Sequence, residues 1–400
     1  MRALTLGEEL EHLTPVVARS YASLCLTSAA ERRQAEANEF RELALTSCKQ
    51  LGELGLLAYT LTAAAMNDAG QARWAPAVAN LDRAIKESAA LGAKGQWEEA
   101  ISQLAHLEFY RGNFKVSRGL YDTAVASAKQ RKNAKILNRC KAGIAAVLLA
   151  TGEVQSALAI LEETNSYGPL ALALLRTGEP QKAYDMALKV KDRFKGRRTK
   201  YYLLKSFVSV AEVILSLLEA AMENQQRNKY TNGDSVAGQN GGGFLRQSTR
   251  QFKVTPSADL GATKVERSRR SIFSDSEDGP RRALEDFEDV DNLQAMAQEW
   301  IDKLAQFASV YAVAYPRMLL FKGQMQFLTG NQSIGLHLVR KCKAAAVNLG
   351  MPHEESLAKQ FLSEHSGPDS KISAGDSLVM IGAEASDFFK RMGNSGRVAD

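Results

Sequence analysis

Apolar residues recur at intervals of three and four positions along most of the chain, which places them on one face of an α-helix. The clearest stripe consists of Leu293, Met296, Trp300, Leu304, Phe307 and Tyr311. The same spacing predicts helices over residues 8–28, 31–52, 55–66, 74–91, 97–110, 114–130, 136–150, 154–163, 169–175, 181–194, 201–222, 318–328, 333–349 and 352–365. The pattern therefore predicts an all-α protein.

A second pattern marks the junctions between neighbouring helices. A small residue lies seven positions before a glycine, a large apolar residue lies three before it, and a small residue lies five after it. The pattern recurs around Gly70, Gly112, Gly152, Gly178 and Gly330. Its small positions are Ala63 and Ala75, Ala105 and Ser117, Ala145 and Ala157, Ala171 and Ala183, and Gly323 and Gly335. In the first copy Asn67 occupies the apolar position.

These positions describe an antiparallel helix pair. The glycine ends the first helix, where a left-handed backbone costs it little. The small residues let the two helix backbones approach each other. One such pair cannot bury its own apolar face, so copies must stack into a solenoid. The alternative is chance repetition in an alanine-rich helical chain, but small residues at all ten positions favour a true repeat.

The pattern resembles the tetratricopeptide repeat, in which corresponding positions are small and a glycine often precedes the second helix. The resemblance implies a TPR-like α-solenoid of antiparallel helix hairpins. Its spacing departs from the family repeat of about 34 residues. The intervals from Gly70 to Gly112 and from Gly112 to Gly152 are unequal and longer than this repeat, whereas the interval from Gly152 to Gly178 is shorter. The units are therefore irregular, and no ligand-binding residue of the family can be carried over.

The composition changes sharply after the helix predicted to end at Met222. Residues 224–290 contain a run of three glycines, many serines and charge blocks without periodicity, which predicts a disordered insertion. The chain then divides into TPR-like repeats over 1–223, the insertion over 224–290, helices that continue the solenoid over 291–366, and a flexible tail over 367–400. In the insertion, the candidate phosphorylation sites are Ser271, Ser274 and Ser276. Short basic or acidic contexts of this kind also arise by chance.

Charge and cysteine content narrow the class of protein. The chain has 400 residues and a formal net charge of +6, a mild bias that indicates no particular partner. Its four cysteines are far apart, which favours reduced thiols and an intracellular protein. The first residues lack the apolar core of a signal peptide, and no apolar run is long enough to span a bilayer. We therefore expect a cytoplasmic protein without a membrane anchor.

Motifs of known chemistry are missing from the sequence. It has no phosphate-binding loop, no dinucleotide-binding glycine pattern and no paired histidines at zinc-binding spacing. His353 and Glu354 indicate a metal site only weakly, because acids are common in the first turn of a helix. Cys140 and Cys342 have basic neighbours that could activate a thiol, but helical positions favour buried small side chains. We expect no cofactor and no metal.

One cluster of basic residues stands out near the middle of the chain. It comprises Lys189, Lys191, Arg193, Lys195, Arg197, Arg198 and Lys200. Such a cluster could contact phosphate or an acidic protein, and Tyr201 and Tyr202 beside it could stack on a base. The simpler interpretation is a solvated turn between helices. We therefore treat the cluster as a candidate interaction patch and do not expect a nucleic-acid partner.

A further resemblance depends on the order of several short stretches. They are VARSYASLC at 17–25, YRGNF at 110–114, LRTGE at 175–179 with VAEV at 210–213, and YPR at 315–317 with NLGMPHEE at 348–355. In this order they are similar to the TPR-like tail of signalling proteins that carry a class III nucleotide cyclase domain and an AAA-type ATPase domain. The similarity covers about residues 10–365 without the insertion. Neither catalytic domain is present in the sequence, so neither activity is carried over.

The sequence thus predicts a non-catalytic helical-repeat module that binds a protein partner or regulates one. The resemblance implies a link to a cyclase–ATPase signalling protein. The alternative is a scaffold subunit of a larger assembly, in which the same helices make structural contacts. An enzyme is the least favoured class, because no catalytic constellation is visible.

Overall fold

The computed structural model describes residues 14–31, 33–194, 201–233 and 289–365, without the side chains of Phe194, Tyr202 and residues 227–233. All regular structure in these ranges is helical. The first ten helices are α1 (Pro15–Ala30), α2 (Gln34–Leu51), α3 (Leu54–Gly70), α4 (Trp74–Ala90), α5 (Lys94–Tyr110), α6 (Phe114–Gln130), α7 (Ala134–Thr151), α8 (Val154–Glu162), α9 (Tyr167–Arg176) and α10 (Pro180–Phe194). The remaining five are α11 (Leu204–Gly233), α12 (Val290–Ala308), α13 (Tyr315–Leu328), α14 (Gln332–Asn348) and α15 (Pro352–His365). Short 3₁₀ turns at Tyr201–Leu203 and Ala312–Ala314 precede α11 and α13.

These helices confirm the elements predicted from apolar spacing. Pro15 is the first residue of α1, where its missing N–H costs nothing, and Thr14 caps the helix by accepting from the Val17 amide at 3.3 Å. Some boundaries were wrong, since α3 continues past Met66 to Gly70 and α11 continues past Met222 to Gly233. The tail predicted over 367–400 lies outside the described residues.

The helices pack as consecutive pairs. Each odd-numbered helix from α1 to α13 packs against the even-numbered helix that follows it, and α15 covers the last pair. Odd-numbered helices also contact one another in an unbroken row from α1 to α15. The row forms the inner wall of an α-solenoid, and the even-numbered helices form its outer layer. The predicted fold class is confirmed.

Turns with a left-handed residue set the length of the repeat. Six of these residues follow one another at equal intervals along the chain: Gly52, Ala72, Gly92, Gly112, Lys132 and Gly152. One helix pair in this part of the chain therefore takes two such intervals, as from Gly112 to Gly152. Beyond Gly152 the helices α8 and α9 are short, which brings the next left-handed residue to Gly178.

The sequence pattern was wrong by two positions in its first copy. Ala72 is the left-handed residue of that turn, whereas Gly70 is the last residue of α3. A Cβ atom at Gly70 would lie 2.7 Å from Cδ1 of Tyr311, so Gly70 makes room for that ring. The small residues of this turn are accordingly Ala65 and Ala77, both fully buried. With this correction, the apparent irregularity between the first two units disappears.

The remaining small positions lie where predicted, at the crossings within helix pairs. Ala145, Ala157, Ala171 and Ala183 are all fully buried. A hydrogen bond of 2.7 Å from the Ser117 hydroxyl to the carbonyl of Ala105 crosses the α5–α6 contact. In the α13–α14 pair, a Cβ atom at Gly323 would lie 2.9 Å from the carbonyl oxygen of Gly335. Larger residues at these positions would force the helices apart.

The two helices on either side of residues 234–289, α11 and α12, pack against each other. The Phe207 ring of α11 lies 5.2 Å from the Trp300 ring and 4.8 Å from the Phe307 ring, measured between centroids. The apolar stripe of α12 is therefore part of the core.

The two halves of the solenoid also touch directly. The Trp74 indole donates to the carbonyl of Leu349 at 2.6 Å, and the Gln71 side chain donates to the carbonyl of Val310 at 2.7 Å. These contacts join the α3–α4 turn to segments near the far end of the chain. The inner wall consequently encloses an interior.

Candidate functional site in the solenoid interior

Three tyrosines meet at the centre of the interior. Tyr110 ends α5, Tyr201 begins the 3₁₀ turn before α11, and Tyr311 follows α12. Ring centroids are 6.0 Å apart for Tyr110 and Tyr201 and 5.7 Å apart for Tyr201 and Tyr311. Their exposed fractions are 8%, 5% and 5%. The disfavoured alternative, in which Tyr201 stacks on a base, does not fit the structure, because its ring is packed inside the protein.

Lys205, in the first turn of α11, extends into this aromatic cluster. Its Nζ atom lies 3.7 Å from the centroid of the Phe109 ring, 5.8 Å from that of Tyr110 and 5.9 Å from that of Tyr121. The atom is buried and has no hydrogen-bond partner in the described part of the chain. Burial lowers the pKa of Lys205 to about 7. A substantial fraction of this side chain is therefore a free amine at neutral pH.

His106 lies beside the lysine in the same cluster. Its ring packs edge-on against Tyr110 and Tyr201, with centroids 5.0 and 5.1 Å away. Burial, reinforced by the charge of Lys205, lowers its pKa well below the usual value, so the imidazole is neutral. Its Nδ1 atom lies 3.5 Å from the hydroxyl of Tyr121, and its Nε2 atom has no partner among the described residues.

The cluster also contains hydroxyl groups that have no hydrogen-bond partner among the described residues. The hydroxyls of Tyr110 and Tyr201 are buried and unpartnered in the described structure. Burial raises the pKa of both phenols, so both remain protonated donors. An unpartnered buried donor typically costs about 1–3 kcal/mol. The site therefore combines a free amine with donors that have nothing to donate to.

A chain of paired charges crosses the interior a short distance along α11. Glu212 accepts from Arg176 of α9 at 2.5 Å and lies 3.7 Å from Arg317 of α13. Arg317 donates two hydrogen bonds to Glu354 of α15, at 2.7 and 2.8 Å. Burial favours a neutral Glu354, but the Arg317 guanidinium outweighs burial and holds the pKa of this carboxyl below its usual value. These four residues connect four inner helices.

Several of the short stretches singled out in the sequence contact one another in the interior. Arg176, Glu212, Arg317 and Glu354 each belong to a different one of these stretches. The YRGNF stretch meets the last stretch as well, since the Phe114 ring lies 5.2 Å from that of His353. Short stretches far apart in sequence thus form one interior contact. Sequence spacing alone could not reveal it.

The predicted basic patch is only partly described. Lys195, Arg197, Arg198 and Lys200 lie outside the described residues, as do Ser271, Ser274 and Ser276. Lys191 forms an ion pair of 2.8 Å with Glu299. Arg193 donates to the carbonyl of Asn165 and lies over the Tyr167 ring. Two of the three described members are thus engaged within the protein, and only Lys189 lacks a carboxylate or carbonyl partner among the described residues.

The other candidate residues, the cysteines and Glu354, are buried or paired within the protein. Cys140 and Cys342 are buried, as the helical interpretation predicted, and burial raises the pKa of Cys140 to about 12 and also raises that of Cys342. Glu354, suspected as a metal ligand, instead binds Arg317. In the described ranges, no group of three or more His, Cys, Asp and Glu side chains is arranged to hold a metal ion. None of the helices described combines the length and apolar character needed to cross a membrane.

Comparison with known proteins adds no family to this description. No protein-family model matches the chain, and no curated protein matches its sequence.

Proposed function

We propose that the chain is a non-catalytic helical-repeat module that binds a protein partner on its outer helices. The observation that carries the proposal is the filled interior. Solenoid repeats commonly bind ligands on their concave surface. Here Tyr110, Tyr201 and Tyr311 occupy that space and are buried against one another. A macromolecular partner would therefore contact the even-numbered helices of the outer layer.

The outer faces of α4 and α6 support this placement. They expose small side chains at the matching positions Ala79 of α4 and Gly119 of α6, and also at Ala75 of α4 and Ala126 of α6. Val116 at the start of α6 is 53% exposed. Small side chains let a partner approach the helix backbone closely and lose little side-chain entropy when they are covered. The equal spacing of the turns places equivalent positions of α4 and α6 in the same orientation.

A finer proposal concerns the identity of the partner. The stretches similar to cyclase–ATPase tails form the interior contacts described above, so we propose that the module works with such a signalling protein. A neighbouring reading frame that encodes a class III cyclase or an AAA-type ATPase domain would support this proposal. Neighbouring reading frames that encode components of a structural assembly would favour the scaffold alternative.

Partner binding is tested with paired variants on the outer layer. Ala79→Arg combined with Ala126→Arg places two bulky charges on the proposed face, whereas Gln155→Arg places one on the exposed side of α8. Cross-linked capture from the source cells should recover the same proteins with wild type and Gln155→Arg, and lose them with the double variant. All three chains should melt at similar temperatures. Equal capture by both variants would overturn the proposed face.

The non-catalytic part of the proposal has its own measurement. Purified protein should not turn over ATP or GTP beyond a heat-inactivated control. Turnover that survives repurification and co-elutes with the chain would show that the protein is an enzyme.

A further inference from the structure

We propose that Lys205 is a carbon dioxide-binding residue, which forms a carbamate on its side-chain amine inside the aromatic cluster. The inference concerns the interior and does not depend on the partner-binding proposal. It follows from the position of the Lys205 amine, from the groups around it and from the size and charge of the reagent.

The first step of the argument is the amine. Carbon dioxide reacts with a neutral amine and not with an ammonium ion. The Lys205 Nζ atom is buried over the Phe109 ring and has no carboxylate partner in the described structure to keep it charged. With a pKa of about 7, its free-amine fraction at neutral pH exceeds that of an ordinary exposed lysine by about three orders of magnitude. Lys205 is therefore a nucleophile where exposed lysines are not.

The second step is the set of donors. A carbamate carries two acceptor oxygens and a negative charge, which must be stabilised when buried. The hydroxyls of Tyr110 and Tyr201 are buried donors that lack acceptors in the described structure. The Tyr121 hydroxyl lies 3.5 Å from Nδ1 of His106, and Nε2 of that neutral ring has no described partner; in the tautomer that carries its proton on Nε2, the ring is a third donor. A carbamate supplies the acceptors that these groups lack.

The third step is access. The Nζ atom is shielded from solvent, which disfavours large or charged reagents such as sugar phosphates or bicarbonate. Carbon dioxide is small, uncharged and soluble in apolar surroundings, so brief side-chain fluctuations suffice for its entry. This property separates it from an inorganic anion, which would have to enter with its charge unpaired.

The reaction balances without a further reagent. The nitrogen lone pair forms the N–C bond, and one carbon–oxygen π pair moves onto oxygen. The nitrogen then releases one proton to water. The product is the carbamate anion of Lys205, so the local charge changes from positive or neutral to negative. This change occurs next to the tyrosines that join α5, α11 and α12, which links the carbamate to the closure of the solenoid.

The modification is tested by trapping. Full-length protein is equilibrated with ¹³C-labelled carbon dioxide and bicarbonate near neutral pH, alkylated with an oxonium reagent that esterifies carbamates, and mapped by peptide mass spectrometry. We expect the labelled ester at Lys205, with an occupancy that rises as the pH is raised through about 7. Label confined to the chain terminus or to exposed lysines such as Lys132 would overturn the proposal.

Two variants separate carbamate binding from a structural role. Tyr110→Phe keeps the ring and removes one proposed donor, so it should lower the occupancy at Lys205 severalfold with little change in melting. Lys205→Met should abolish the label at that position. Carbon dioxide should also raise the melting temperature of wild type and not that of Lys205→Met, because a ligand that binds only the native state stabilises it. Equal occupancy in wild type and Tyr110→Phe, or an equal shift in wild type and Lys205→Met, would contradict the inference.

Discussion

Two groups of charges lie in the same interior with little exposure to solvent, and their surroundings differ. In the chain of Arg176, Glu212, Arg317 and Glu354, every charged group has a partner of opposite sign on a different inner helix. Lys205, on the same helix as Glu212, has only aromatic rings around its amine among the described residues. Both groups are shielded from water, but only the chain of four residues pairs each charge with one of opposite sign.

We infer from this difference that the paired charges have a structural role and that Lys205 has a chemical one. A buried ion pair adds little net stability, because desolvation offsets attraction, but its geometry fixes which surfaces meet. The charged chain therefore sets how α9, α11, α13 and α15 align. An unpaired buried amine has no such benefit and lowers stability whenever it is protonated. Perturbed groups of this kind are characteristic of functional sites, which is why we assign chemistry to Lys205.

The largest expected effect comes from breaking the paired group. Arg317→Met leaves Glu354 buried without its two hydrogen bonds, and should lower the free energy of unfolding by about 3–5 kcal/mol. Chemical denaturation monitored by circular dichroism measures the loss. Adding Glu354→Leu should recover much of it, because two apolar residues replace the ion pair.

An exposed pair provides the control for this experiment. Arg118 and Asp122 are 3.4 Å apart on α6, with side chains 41% and 55% exposed. Arg118→Met should change stability by no more than about 0.5 kcal/mol. If Arg317→Met is equally mild, the charged chain does not hold the interior together.

Replacing the unpaired Lys205 should change the free energy of unfolding in the opposite direction. Lys205→Met keeps an apolar side chain of similar length and removes a charge that no carboxylate or hydrogen-bond acceptor in the described structure compensates. We expect the free energy of unfolding to rise by about 1–4 kcal/mol at pH 7 and below. Lys303 is the matched control, since its Nζ atom lies 4.3 Å from the Trp300 ring but is also paired with Glu299 at 2.8 Å. Lys303→Met should lower stability by at most about 1 kcal/mol.

The pH dependence of this gain follows from the lowered pKa. Folded Lys205 titrates near 7, whereas an unfolded lysine titrates near about 10.4. Between these values the unfolded chain binds more protons, so wild-type stability rises with pH in that window. The advantage of Lys205→Met should therefore be greatest at pH 7 and below and should shrink towards pH 10. Measured in carbon dioxide-free buffer, an advantage that is constant with pH would contradict the assigned titration.

Local patterns were sufficient to predict most of the fold. Apolar spacing located the helices, because each amphipathic face depends only on residues three and four apart. The small residues before and after Gly112 or Gly152 located the crossings for the same reason. Gly70 misled the pattern because its missing side chain serves a distant ring, Tyr311, and not its own turn. The sequence does not show whether a glycine is needed for a left-handed turn or to make room for a neighbouring side chain.

The interior site was beyond the reach of such patterns. Lys205 meets Phe109 and Tyr110 from a distant part of the sequence, and Arg317 meets Glu354 on the second helix after its own. Neither contact has a periodic signature, since both depend on how far the solenoid curves. A lysine within an apolar helical stripe was the one available signal. It was overlooked because Lys205 follows a run of basic residues that favours a solvated turn.

A helix crossing offers a smaller effect that is independent of charge. Ala157 is fully buried between the helices of the fourth pair, whereas Gln155 is exposed on α8. Ala157→Trp should overpack the crossing and lower the free energy of unfolding by about 1–3 kcal/mol. Gln155→Lys should stay within about 0.5 kcal/mol of wild type. Equal thermal melts for the two variants would show that the repeat register is wrong.

The smallest effect is expected from shortening the link between α11 and α12. These helices already pack through Phe207, Trp300 and Phe307, so their contact does not require the full length of the connecting segment, residues 234–289. Deleting residues 240–282 removes most of this link. Closure entropy changes by about 0.6 kcal/mol per doubling of length, so stability should rise by only about 1 kcal/mol. A Gly/Ser replacement of equal length is the control and should leave stability unchanged.

The deletion also tests whether the segments on either side of the link unfold cooperatively. Lys205 and Glu212 lie on α11, before the link, while Tyr311, Arg317 and Glu354 come after it. The chain of paired charges can thus exist only when the segments on either side of the link fold together, and Tyr311 adds a contact from the far side of the link to Tyr201. Calorimetry of wild type and of the deletion variant should therefore show one transition each. Two transitions, one for each side of the link, would mean that the interior is an interface between separate domains. The opposite responses of Arg317→Met and Lys205→Met would then appear in different transitions.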